Sequence, residues 1–280
     1  MALSEYSCGL QGAARGKAAA HVPSFTREID FQQSRMDRVS KIRRSLLVRV
    51  SAALIVFGCA RAADTPTAAL DSIEQRVKPC TSCHGSEGRA TREGYFPRIA
   101  GKPAGYLFNQ LENFRDGRRH FPMMTYVAQL QTDAYLRELA GYFGALRVPY
   151  PAPQPLKVAA AVLERGRQLV MDGDKALDVP SCNSCHGSRL LGVAPAVPGL
   201  LGVSQDYLTA QLGAWRMGIR AAAPPDCMGQ LVHRMRRDDL NAAAAWLAAQ
   251  TVPDDAEADA SFAHQPPLEC GSIQQASRSP

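Results

Sequence analysis

The chain has 280 residues, 46% of them hydrophobic and 21% charged. That is room for one large or two small globular domains, and too apolar for disorder throughout. Its surplus of six positive charges lies in residues 1–62, which hold 10 basic and 4 acidic residues; the rest carries 22 of each, so no basic groove for nucleic acid is implied.

In chain order, the first feature is a leader. Met36-Asp37-Arg38-Val39-Ser40-Lys41-Ile42-Arg43-Arg44 is a positive opening, followed by an apolar run from Ser45 to Ala60 and by Ala60-Arg61-Ala62. This is the pattern of a secretory signal peptide, with translation expected to start at Met36 and residues 1–35 read as an over-extended gene start. The uninterrupted apolar part, Ala52 to Cys59, is shorter than the ~20 residues a membrane-spanning helix needs. Val56-Phe57-Gly58 before Cys59 leaves lipidation of that cysteine as a second reading, and only then would the protein associate with a membrane. Either way the mature chain is expected outside the cytoplasm, in an oxidising compartment.

A short helical run, Ala68 to Val77, leads into Cys80-Thr81-Ser82-Cys83-His84. The loop Phe96-Pro97-Arg98-Ile99-Ala100-Gly101 follows, then an amphipathic helix carrying Tyr106, Leu107, Gln110, Leu111 and Phe114, and a closing helix from Asp133 to Leu146. A proline-rich connector, Val148 to Pro155, is stiff and extended. Beyond it the plan recurs. Helix Val158 to Met171 leads to Cys182-Asn183-Ser184-Cys185-His186, the loop Val197-Pro198-Gly199-Leu200-Leu201-Gly202 and a helix with Tyr207, Leu208, Gln211, Leu212 and Trp215, all but the first of these at an offset of 101 or 102. Arg119 falls on Arg220 in the same register, and a second closing helix, Arg237 to Ala249, falls at an offset of 104. After Thr251 the chain turns polar and reads as a loose tail. The resulting division is residues 1–62 as extension and leader, 63–147 and 157–252 as two similar helical domains, 148–156 as linker and 253–280 as tail.

Cys-x-x-Cys-His is the attachment site of a c-type haem: two thiols about one helical turn apart add across the porphyrin vinyl groups, and the adjacent histidine lies beneath the iron. A structural zinc site would need four ligands in one local fold, whereas these pairs are 102 residues apart. Two covalent haems are therefore expected, on Cys80, Cys83 and His84 and on Cys182, Cys185 and His186. Candidates for the sixth iron ligand are His120, Met123 and Met124 in the first half and Met228, His233 and Met235 in the second. Met124 falls on Met228 at the offset of the closing helices, while Met123 falls on Cys227 and Met235 on Gln131. Position favours Met124 and Met228, and methionine sulfur suits an electron relay. Pro97 and Pro198, each in the loop after a cysteine pair, offer carbonyls to the histidine Nδ1–H, a contact that orients the ring and tunes the metal. Tyr106, Phe114, Trp215 and Trp246 read as packing residues.

From about Ala68 to Gln250 these residues resemble the cytochrome c4 family. The likeness runs through both Cys-x-x-Cys-His motifs, both Pro-x-x-x-Gly loops, both Tyr-Leu-x-x-Gln-Leu helices, Met124 and Met228. The resemblance implies an all-α chain of two tandem class I cytochrome c domains with His/Met haems, a carrier in the periplasm of a Gram-negative bacterium that feeds a terminal oxidase. Departures are a short first helix without a counterpart of Gly166, and Cys227 beside Met228 together with a tail bearing Cys270. These two cysteines are candidates for a disulfide in an oxidising compartment.

The expected function is outer-sphere electron transfer, with no catalytic residue, between redox proteins such as a membrane haem–copper oxidase and a quinol or dehydrogenase complex. The alternative is the cytochrome subunit of a dehydrogenase, for example a flavin enzyme. A haem peroxidase would need an open sixth position, which a methionine in register in both halves argues against.

Overall fold

In the computed structural model, residues 71–277 are described apart from Arg92 and Gln154. The leader, Met36 and Cys59 lie outside the described residues, as does the start of the Ala68–Val77 run. Helices dominate. In the first half these are α1 Ile73–Arg76, α2 Lys78–His84, α3 Ala104–Arg115, α4 Pro122–Ala128 and α5 Asp133–Ala145. The second half has α6 Ala160–Met171, α7 Asn183–His186, α8 Gln205–Arg216, α9 Cys227–Arg234 and α10 Arg237–Ala248, and α11 Gly271–Ser277 lies in the tail. A two-residue antiparallel pair, β1 Gly192–Val193 with β2 Val197–Pro198, is the only sheet among the described residues.

Local chemistry sets the ends of these helices. Thr132 caps α5, Ser204 caps α8 and Asp226 caps α9, each side-chain oxygen accepting a backbone N–H of the first turn. Pro79 and Pro122 occupy first-turn positions of α2 and α4, where the missing N–H costs nothing. Gly85 and Gly187 follow the two motif histidines at φ +77° and +84°, a backbone shape that lets the chain turn away at once.

Each half has its own core. In the first, α3 and α5 cross and bury Leu107, Phe108, Leu136, Leu139 and Phe143. In the second, α6, α8 and α10 enclose Leu169, Val170, Leu208, Leu240, Ala244 and Leu247. Helices α6 and α10 approach each other closely. A Cβ on Gly166 would stand 2.1 Å from the Ala242 carbonyl oxygen, so only glycine permits this crossing. The described residues nevertheless all belong to one unit. The halves meet in an antiparallel bridge between Arg119 and Arg220, where His120 N–H donates to the Ile219 carbonyl at 2.9 Å and Ala221 N–H to the Arg118 carbonyl at 2.5 Å.

The tail departs from the loose segment its composition suggests. Asp259 bridges to Val193, giving its N–H to Gly192 and accepting that of Ala194. Arg147 pairs with Glu257 and Arg189 with Asp255. Cys270 is bonded to Cys227, and α11 lies on α3 of the first half, where Asn109 Nδ2 donates to the Ser272 carbonyl at 2.9 Å. Backbone bonds and one cross-link hold a segment that hydrophobic pattern leaves unmarked.

Candidate haem-binding sites

Two clusters arise from the same local design. In the first, α2 carries Cys80 and Cys83 and ends on His84, which is buried at 8% exposure. Its Nδ1 lies 2.8 Å from the Pro97 carbonyl oxygen. In the second, Cys182 precedes α7, which carries Cys185 and ends on His186; His186 is also 8% exposed, and its Nδ1 lies 2.8 Å from the Pro198 carbonyl. A ring that donates from Nδ1 to a carbonyl keeps Nε2 as its lone-pair nitrogen, facing the other way. Burial, opposed by the proline carbonyl, holds both imidazoles below their usual pKa, so each stays neutral and able to ligate.

The four motif cysteines are free, half-buried thiols. Burial raises Cys80 and Cys185 above the usual thiol range and pushes Cys182 up to about 12. No group of three His, Cys, Asp or Glu arranged for a metal ion occurs among the described residues.

Of the sixth-ligand candidates, Met124 and Met228 are both half-buried near the starts of α4 and α9, and Met228 packs against the second core. Met123 is 61% exposed, Met235 is a core residue at 4% exposure, and His120 and His233 are exposed. Tyr106, Trp215 and Trp246 lie at the edges of the two cores, while Phe114 is buried beneath the Arg119 guanidinium.

The sites also contain buried cations to which the sequence pattern assigns no role. Arg119 donates to Gln110 Oε1 at 2.8 Å, and across the halves to Gln211 Oε1 at 2.6 Å and the Tyr207 hydroxyl at 2.8 Å. Arg220 mirrors it, donating to Gln211 Oε1 at 2.7 Å and to Gln110 Oε1 at 3.0 Å. Their guanidiniums stack on Phe114 and Trp215 respectively, residues equivalent in the repeat. Lys102 is 6% exposed and donates to the Gly199 carbonyl at 2.8 Å, one residue beyond the carbonyl that holds His186. Burial drives Lys102 down to about 8 and, with Arg119 alongside, Arg220 down to about 10. None of the three is ion-paired with a carboxylate among the described residues. Buried cations held only by neutral acceptors are costly unless an anion completes the site. The carboxylates of haem are such anions. Paired thiols and a neutral oriented imidazole in each half, with uncompensated cations beside them, fit the group that the Cys-x-x-Cys-His motifs imply.

No family model matches the chain. It is 36% identical over 181 residues to a thiosulfate dehydrogenase electron acceptor of Thiomonas intermedia, covering 65% of this chain and 82% of that one. It is 28% identical over 204 residues to a cytochrome c4 of Pseudomonas aeruginosa, covering 72% and 96%. Among solved structures, a cytochrome c4 of Acidithiobacillus ferrooxidans superposes with a TM-score of 0.53 at 29% identity, over 62% of this chain and 99% of that one.

Proposed function

The chain belongs to the cytochrome c4 family, with thiosulfate dehydrogenase electron acceptors among its relatives, and on that premise we propose that it takes electrons from a periplasmic dehydrogenase of the thiosulfate-oxidising type. It is a dihaem electron carrier with two covalently attached haem c groups; substrate chemistry falls to its partner. The domain limits 63–147 and 157–252, joined by linker 148–156, belong to this reading. So does onward delivery to a membrane haem–copper oxidase. Among the described residues no helix is long and apolar enough to cross a membrane.

We assign the thioether links to Cys80 and Cys83 and to Cys182 and Cys185, the proximal ligands to His84 and His186, and the distal ligands to Met124 and Met228. When bound, each iron porphyrin supplies reversible storage of one electron, at a potential set by its axial ligands, hydrogen bonds and burial. The protein's part is to keep the geometry fixed. Pro97 and Pro198 hold the imidazole rings in orientation, and Met124 and Met228 would supply the second protein donor to each iron. Arg119 and Arg220, fastened to Gln110 and Gln211 from both sides, supply positive charge where the halves meet. Lys102 places a further cation beside the second site only, its counterpart in the repeat being Val203. Arg98, equally buried beside Pro97 of the first site, has Gly199 as its counterpart, so the charges around the two sites differ and two distinct potentials are expected.

The observation that carries the reading is the repetition of one arrangement, motif histidine to proline carbonyl at 2.8 Å, in both halves. A pyridine haemochrome assay is expected to count two haems per chain, and redox titration two one-electron centres. Met124→Ala and Met228→Ala should each abolish one of two methionine-to-iron charge-transfer bands. Rapid mixing with thiosulfate and a thiosulfate dehydrogenase should reduce the protein. Fewer than two centres would end the electron-carrier reading, and failure of that enzyme to reduce an intact dihaem protein would end the choice of donor.

A further inference from the structure

Cys227 and Met228 are adjacent, and the disulfide to Cys270 therefore fixes the backbone one residue from the proposed distal ligand. The loop before it is held from two directions. From its own half, Asp226 caps α9 through the Gly229 N–H at 3.0 Å. Its other oxygen accepts from Trp215 Nε1 at 3.1 Å and the Ala222 N–H at 2.9 Å. From the tail, Gly271 gives its N–H to the Pro225 carbonyl at 2.9 Å and packs so closely that a Cβ there would meet the Pro224 and Ala223 carbonyls at 2.2 and 2.5 Å. The tail then continues into α11, which Asn109 fastens to α3 of the first half, with Gln275 Nε2 donating to Glu112.

The first half lacks this arrangement. Met123 occupies the position of Cys227 and is 61% exposed; α4 opens on Phe121, whose side chain makes no cap, and Tyr126 and Leu130 of this region stand 72% and 86% exposed. Two otherwise equivalent distal segments thus differ in how they are restrained.

We infer that the C-terminal segment is a strap, pinned to α3 at one end and to Cys227 at the other, that positions Met228 and makes the second haem's distal ligand harder to displace than the first's. Cys227, Cys270 and Asn109 are positioning residues, acting on the iron only through the loop that carries Met228. The inference rests on the ligand assignment above. Its effect belongs to one centre alone, so the other haem in the same molecule is an internal control that a general loss of stability would move equally.

The test is displacement of the methionine sulfur by imidazole in the oxidised holoprotein, followed by loss of the charge-transfer bands, with Met124→Ala and Met228→Ala assigning each band to its centre. In the parent protein the Met124 centre is expected to bind imidazole about tenfold more tightly than the Met228 centre, a common size for coupling to a remote restraint. In the double variant Cys227→Ser with Cys270→Ser, which leaves no thiol beside the iron, the Met228 centre should gain about that factor while the Met124 centre is unchanged. Equal displacement at both centres of the parent, or a double variant in which both centres shift alike or neither shifts, would overturn the strap. If the two methionine variants failed to remove separate bands, the ligand assignment itself would be at fault. A double variant that did not fold would leave the comparison within the parent to decide.

Discussion

Replacing Gly166 by alanine sets two principles against each other, and the structure decides the sign. On helix propensity alone, alanine within α6 should gain about 1 kcal/mol over glycine. The new methyl carbon, however, would lie 2.1 Å from the Ala242 carbonyl oxygen, 2.8 Å from its carbon and 2.7 Å from Trp246 Cβ. The first of these is roughly 1 Å inside the closest approach that real Cβ atoms make, and the obstacle is backbone of α10 rather than a side chain able to swing aside. Helices α6 and α10 must separate along the crossing that buries Leu169, Ala243 and Leu247. Overpacking of this kind costs about 1–3 kcal/mol and more where backbone must move, so a net loss of about 2 kcal/mol is expected. Gly141, on the exposed side of α5 with nothing within 4 Å of an added methyl, is the control and should gain about 0.5–1 kcal/mol as alanine. Urea unfolding of the haem-loaded protein measures both. With a slope of roughly 1–3 kcal/mol per molar, Gly166→Ala should lower the midpoint by about 1 M. A midpoint that rose for Gly166→Ala as it does for Gly141→Ala would refute the packing argument.

Two further substitutions probe electrostatics. Asp239, at 1% exposure, accepts from Arg236 and Arg165, and these guanidiniums bring it from 3.8 down to about 2. A depressed carboxylate stabilises fully above the unfolded value near 4 and loses that contribution as pH falls through about 2, so Asp239→Asn should cost about 2 kcal/mol at neutral pH and flatten stability between pH 4 and 2. Acid titration of the unfolding midpoint checks this, an unchanged slope counting against it. Lys102→Met removes a buried cation beside His186 and should lower the potential of the second centre while sparing the first; a redox titration that moved both, or neither, would contradict it.

How much could be read without coordinates depended on whether a residue's job left a local pattern. The Cys-x-x-Cys-His motifs, the helices at offset 101 and the proline loops did so, because covalent attachment and amphipathic burial both impose fixed spacings. Arg119 and Arg220 were visible as a repeated pair, and the recurrence of Gln110 as Gln211 was a usable hint. Their mutual bonding joins residues as far as 110 apart and appears only once both halves are folded. Lys102 left no signal at all, since nothing in composition distinguishes a buried lysine from a solvated one and Val203 replaces it in the repeat. The tail's attachment is hidden from the sequence for a related reason. Its attachments are main-chain bonds, ion pairs and one disulfide, none of which requires the apolar periodicity that marks a helix or strand.

The shared glutamine–arginine lattice has a consequence for any attempt to cut the molecule at its proline connector. Each fragment would carry a seam matching its own copy almost as well as its natural mate, because Arg119 with Gln110 and Arg220 with Gln211 are the same pair written twice. Liberated fragments would meet like with like, and what tells the native pairing apart is an unduplicated remainder that includes Lys102 reaching for Gly199, Ser204 for Gly94, and Asn109 gripping Ser272.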